Sequence, residues 1–201
     1  MDKTLTAFGY GMCIFSMDIL LDFLKTEKIR TKKIAQYLQN EPEIYLRAIE
    51  NGIWLPFVGI NHEKYCISLG SVAPSFEKEW EEKFTHKEFN ITVKDALWTT
   101  DISSFNPFDK TKYIDTYEVS YQNEALVKNQ FQMITSFSGF KFDVPTGKYK
   151  ITVKGYRRKK RLAFPNANYA FSFSLRKVDE FDSFCNPRED ELYDFNVANM
   201  T

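Results

Sequence analysis

Phe140-Lys141-Phe142-Asp143-Val144-Pro145-Thr146-Gly147-Lys148-Tyr149-Lys150-Ile151-Thr152-Val153 alternates apolar and polar residues on both sides of a Pro-Thr-Gly reversal. A period of two puts Phe140, Phe142 and Val144 on one face of a strand, and Tyr149, Ile151 and Val153 on one face of the next. Proline and glycine between the runs have the backbone preferences of a tight turn, so the segment predicts a β-hairpin. Tyr169, Phe171, Phe173 and Leu175 repeat the alternation and predict a third strand. The basic run Tyr156 to Arg161 then falls on the connection between two strands, and loops on a rigid sheet are frequent carriers of function.

Working outward, Tyr65, Ile67 and Leu69 alternate, as do Phe89, Ile91 and Val93; Lys94-Asp95 reads as a turn before Leu97-Trp98-Thr99. Tyr117, Val119 and Tyr121 predict a further strand, and Ser103 to Lys112, with Asn106-Pro107, a loop. Pro74 to Lys83 is ambiguous: Phe76, Trp80 and Phe84 suit a helix, and the segment fits an extended chain equally. The first sixty residues read as helical. Ile14, Met17, Leu20, Leu21 and Leu24 form one stripe, and Ile34, Ala35 and Leu38 mark a second helix within Ile29 to Gln39. Asn40 with Glu43 resembles a capping box for a third helix, which Asn51-Gly52 ends. The fold class expected is α+β: an N-terminal helical segment, residues 1–60, packed on a C-terminal antiparallel β-sandwich, residues 61–201. Trp54 to Asn61 is the candidate linker, with the apolar content of a packed segment.

Nineteen Phe and eleven Tyr in 201 residues favour pleated, half-buried surfaces. A chain of this length buries about 70% of its unfolded surface, enough to fold without a disulfide or a metal. Cys13, Cys66 and Cys185 are odd in number and far apart, a poor disulfide framework that fits a reducing compartment. The apolar run Met12 to Leu24 is broken by Asp18 and Asp22 and lacks a basic lead, unlike a signal peptide. No stretch reaches the ~20 apolar residues of a membrane span. The expectation is a cytoplasmic protein without membrane association.

His62 and His86 have no second His, Cys or acid at metal-ligand spacing, and neither a Cys-x-x-Cys nor a Gly-x-Ser-x-Gly motif occurs. Gly9-Tyr10-Gly11 starts like a phosphate loop but lacks the glycine and Lys-Ser/Thr that complete one, and reads as a turn. A helix-turn-helix reading of the N-terminus fails on chemistry, because Glu43, Arg47 and Glu50 would face the phosphates. No catalytic residue, cofactor or metal is expected. An enzyme would need His62 or His86 gathered with an acid in a deep pocket, and an aromatic-rich sheet could also serve as a carbohydrate or ligand platform.

Charge in the last third is sorted by sign although the whole chain is neutral. Between Lys141 and Arg161 nine Lys or Arg stand against one acid, and between Asp179 and Asp194 seven acids stand against Arg188 alone. The acidic tail intersperses Asp179, Glu180, Asp182, Glu189, Asp190, Glu191 and Asp194 with the aromatic residues Phe181, Phe184 and Tyr193. Carboxylates steer encounter and aromatics anchor, so this composition suits a protein partner with a basic cleft. Arg157, Arg158, Lys159, Lys160 and Arg161 form an alternative, phosphate-binding loop for nucleic acid, with Tyr156 and Phe164 available for stacking. Zero net charge disfavours that alternative. The rival to both is that the two segments neutralise each other.

Phe89-Asn90-Ile91-Thr92-Val93, then Leu97-Trp98, then the Phe140–Val153 segment resembles the order found in the competence protein J type of bacterial nuclease inhibitor and similar β-rich immunity-like proteins. The resemblance spans Phe89 to Leu175, under half of the chain. It implies a non-enzymatic protein that binds another protein, a basic nuclease or toxin, and it carries no contact residue onto a named position.

Overall fold

Alternating runs become strands here, but their pairing joins distant parts of the chain. The computed structural model describes residues 3–70, 78–189 and 192–200. Ten strands run β1 Lys3–Thr6, β2 Gly11–Phe15, β3 Trp54–Val58, β4 Lys64–Leu69, β5 Trp80–Val93, β6 Ala96–Asp101, β7 Glu118–Val127, β8 Gln130–Asp143, β9 Gly147–Arg158 and β10 Tyr169–Val178. One sheet has the order β1-β4-β10-β9-β5, the other β3-β2-β6-β8-β7. Helices α1 Met17–Thr26, α2 Ile34–Asn40 and α3 Pro42–Glu50 are inserted between β2 and β3.

The chain crosses between sheets at β1–β2, β3–β4, β5–β6 and β8–β9, and the facing sides share one core. Phe57 of β3 lies 6.2 Å from Phe171 and 5.7 Å from Phe173 of β10, with rings nearly parallel. The other face of the β3-β2-β6 region is covered by the helices. Met12 and Ile14 of β2 point into the inter-sheet core, whereas Cys13 and Phe15 join Leu20, Leu38, Ile49 and Trp98 beneath the helices.

This arrangement overturns the expected α+β division. The protein is mainly β, the region 1–60 holds three short α-helices rather than a helical unit, and it contributes β1 to one sheet and β2 and β3 to the other. Ile14 sits in β2 rather than on a helical stripe. The misreading has a physical cause: a strand covered on both faces is apolar at every position, and such a short run looks the same as part of a buried helix. Trp54 to Asn61, the candidate linker, instead begins as strand β3, whose Trp54, Leu55 and Phe57 are buried. The sheets are also not purely antiparallel, because β10 pairs parallel with β4.

The Phe140–Val153 segment is not a hairpin. β8 pairs with β6 and β7, β9 with β10 and β5, so Pro145-Thr146 carries the chain from one sheet to the other. The expected capping box is absent as well: Asn40 closes α2, and Glu41 is the N-cap of α3 without a side-chain cap bond. Gly52 does take the left-handed conformation, at φ +63°, and an added Cβ would lie 2.7 Å from Ile91 Cα. Of the ambiguous segment Pro74 to Lys83, residues 74–77 lie outside the described residues, and Trp80 opens β5.

Candidate functional site

Strand β9 alternates lysines with core residues, which sends its charged side chains to the outer face of its sheet. The chain after β10 returns along that face. There Lys148 pairs with Glu180 and lies 5.6 Å from the centre of the Phe181 ring. Lys150, only 3% exposed, contacts Asp182 at 3.0 Å and donates to the Ser183 carbonyl at 2.9 Å. Asn90 of β5 donates to that carbonyl and to the Glu50 carbonyl of α3, so the return segment is tied to two elements. Hydrogen bonds from Lys150 and Ser183 hold the Asp182 carboxyl below its usual range.

The oppositely charged segments therefore meet in space. Further along, the tail becomes core: Phe195 is buried 5.0 Å from Phe57 and 5.7 Å from Phe84, and Tyr193 stands edge-on to Phe89 at 5.0 Å. The His86 ring stacks on Phe84, with its Nε2 2.8 Å from the Asp194 carbonyl. The side chains of Asp179, Phe184, Glu189 and Asp194 remain exposed; Asp190 and Glu191 lie outside the described residues.

The basic loop divides similarly. β9 and β10 form a true antiparallel hairpin, and Arg157 and Arg158 belong to its first strand. Arg158 pairs with Glu79, donates to the Ala167 carbonyl at 3.1 Å, and lies 4.4 Å over the Trp80 ring. Arg157 reaches Glu81 at 4.0 Å and the Met200 carbonyl. The Lys159 backbone N–H donates to the Glu79 carbonyl, while Lys160 and Arg161 are exposed on the turn. Two of the five cations proposed for phosphates thus hold the fold together.

Gly9-Tyr10-Gly11 is a turn between the sheets, and both glycines answer to packing. A Cβ on Gly9 would lie 2.8 Å from Ser103 N, and one on Gly11 would lie 2.8 Å from the Phe57 carbonyl oxygen. Asp101 ends β6 beside this turn, buried, accepting the Gly9 N–H at 2.9 Å and the Ser103 hydroxyl. Burial raises its carboxyl above the ordinary value despite those bonds. His62, in the β3–β4 loop, packs on Phe8 with ring centres 4.7 Å apart.

A surface that sequence reasoning missed lies on the β7–β8 hairpin. Lys128 and Asn129 form its two-residue turn, with φ of +49° and +64°; positive φ at both positions is the type I′ geometry that matches strand twist. Cross-strand register pairs Leu126 with Phe131 and Glu124 with Met133, placing all four on one face. Leu126 is 54% exposed, Phe131 72% and Met133 66%. β7 is also the outermost strand of its sheet. The available signal was the apolar run Ala125-Leu126-Val127 and the alternation Phe131-Gln132-Met133 on either side of Lys-Asn, but pattern alone does not say which face is covered.

Among the described residues, no helix is long and apolar enough to cross a membrane. Compared with protein-family models, curated proteins and solved structures, the chain shows no match.

Proposed function

We propose that this chain is a non-enzymatic protein-binding protein, and that the β7–β8 hairpin takes an extended segment of its partner along the open edge of β7. The observation that carries the reading is the exposed ladder of Leu126, Phe131 and Met133 beside that edge. Edge strands expose unpaired N–H and C=O groups, and folded proteins usually blunt them with charge, bulges or cover. β7 has a register shift only at Val119/Ser120 and then runs on to Val127 with Glu124 as its sole charge. Strand addition uses such an edge for main-chain bonds and neighbouring side chains for selection.

Charge defines the occupant. Glu118 and Glu124 are exposed on the ladder's face, so the complementary strand carries Lys or Arg opposite them and apolar residues opposite Leu126. A second copy fits less well, because antiparallel self-pairing centred on Tyr121 would set Glu118 opposite Glu124. The narrower reading, an immunity protein or nuclease inhibitor, draws on the resemblance of residues 89–175 and on the exposed carboxylates of Asp179, Glu189 and Asp194. A cytoplasmic setting fits three cysteines outside any disulfide, with Cys13 buried and its thiol pushed up by that burial.

Selection of a random peptide library on the wild-type protein and on a Leu126→Glu/Phe131→Glu variant tests the reading. Recovered sequences should alternate apolar residues with Lys or Arg, and should be lost on the variant. Recovery that is equal on both proteins, or none at all, contradicts it.

A further inference from the structure

Asn186 organises a second, independent feature. Its Oδ1 accepts the Tyr45 hydroxyl at 2.8 Å and the Arg188 backbone N–H at 3.1 Å. With Pro187 buried between them, these bonds fix the turn and hold the Arg188 guanidinium 4.2 Å over the Tyr45 ring. Among the described residues, three arginines are partly buried: Arg157, Arg158 and Arg188. The first two face Glu81 and Glu79. Arg188 makes no ion pair among the described residues, and its guanidinium stacks on the Tyr45 ring. A guanidinium stacked on a ring keeps N–H donors for an oxyanion, and partial burial lowers the Arg188 pKa.

Arg188 borders a cavity of about 730 Å³, within the range of small-molecule sites. Gln39, Asn106, Tyr10, Gly59 and Ile102 also line it. Asn106 Oδ1 accepts the Gln36 N–H at 3.2 Å, which leaves its amide NH₂ as a donor. Gly59 has φ +77°, and open space lies where its Cβ would be. Ser103 and Gly9 also reach the cavity but give their protons to Asp101, so that carboxylate is already satisfied.

We propose that this cavity binds a small organic anion, a carboxylate or phosphate on a compact apolar body. Arg188 is its charge partner, Asn106 and Gln39 are amide donors, and Tyr10 and Ile102 pack against the body. Arg suits this task because its planar fork matches both oxyanions.

Isothermal titration with phenyl phosphate and phenylacetate as probes, and phenol as the uncharged control, tests the site. At least one anionic probe should bind at one site with Kd below about 1 mM, and phenol about tenfold more weakly or not at all. Arg188→Gln should weaken binding by about tenfold or more, while Arg161→Gln on the exposed turn should not. If Arg188→Gln does not fold, Asn106→Asp decides instead, since a carboxylate in the wall should abolish binding. Failure of both anions to bind, equal binding of phenol, or unchanged binding in the deciding variant overturns the proposal.

Discussion

Gly155→Ala should destabilise the protein well beyond an ordinary glycine replacement in a strand. Gly155 of β9 lies directly across from Phe84 of β5, and the phenyl ring covers the glycine. A Cβ at 155 would lie 2.2 Å from Phe84 Cε1 and 2.6 Å from Cζ, far inside van der Waals contact. The ring cannot simply swing away. It stacks on His86 at 4.5 Å and is hemmed by Phe195 at 5.7 Å and Phe171 at 6.1 Å. Overpacking of this kind costs about 1–3 kcal/mol. For a chain of this size each kcal/mol moves Tm by about 2–4 °C, so a 2 kcal/mol loss lowers it by roughly 4–8 °C. Urea and thermal unfolding of Gly155→Ala, Phe84→Leu and the double variant measure it. The alanine should cost clearly less in the Phe84→Leu background, because the smaller side chain leaves room. An unchanged midpoint for Gly155→Ala, or strict additivity in the double variant, would refute the claimed ring-over-glycine packing.

Lys150→Met should cost about 1–2 kcal/mol, mostly from the Ser183 carbonyl bond, since the pair with the 85% exposed Asp182 is screened by water. The same variant should change the acid limb of the stability curve. Asp182 is held below its ordinary pKa by Lys150 first and Ser183 second. Its contribution is therefore present above about pH 4 and lost as pH falls through the depressed folded value. Urea midpoints at neutral and acidic pH should fall less steeply in Lys150→Met than in wild type. Phe195→Ala should cost about 3–5 kcal/mol by leaving a cavity among Phe57, Phe84 and Phe89, read from the same unfolding curves. Gly52→Ala should exceed the roughly 1 kcal/mol of an ordinary Gly-to-Ala change, because left-handed φ and the Ile91 backbone both oppose a side chain.

Local periodicity was readable wherever large apolar residues alternate with small or polar ones. Tyr65-Ile67-Leu69, Phe89-Ile91-Val93 and the Tyr169–Leu175 run all lie in strands, and Leu20, Leu38 and Ile49 lie on buried helix faces. β2 and β3 were not readable, because cover on both sides erases alternation. Pairing was not readable either. Pro145-Thr146-Gly147 has the composition of a hairpin turn, yet β8 and β9 separate into different sheets, a choice made by partners far away in sequence. The charged segments were visible as runs, but only the return of the chain after β10 brings Glu180 and Asp182 onto Lys148 and Lys150. The Leu126/Phe131/Met133 ladder was hidden for the converse reason: its apolar pattern resembles that of a core-facing strand, and only the exposure of these side chains in the fold shows that nothing among the described residues covers them.

Site-specific photo-crosslinking from position 131 in the source cell tests the central claim most directly. A benzoylphenylalanine there should capture one protein in stoichiometric yield, and the same probe at the exposed Leu46 of α3 should not. Competition by untagged wild-type protein, but not by the Leu126→Glu/Met133→Glu variant, should suppress the product. A product of twice the chain's mass, capture equal at positions 46 and 131, or no product at 131 would contradict a partner protein on the β7–β8 hairpin.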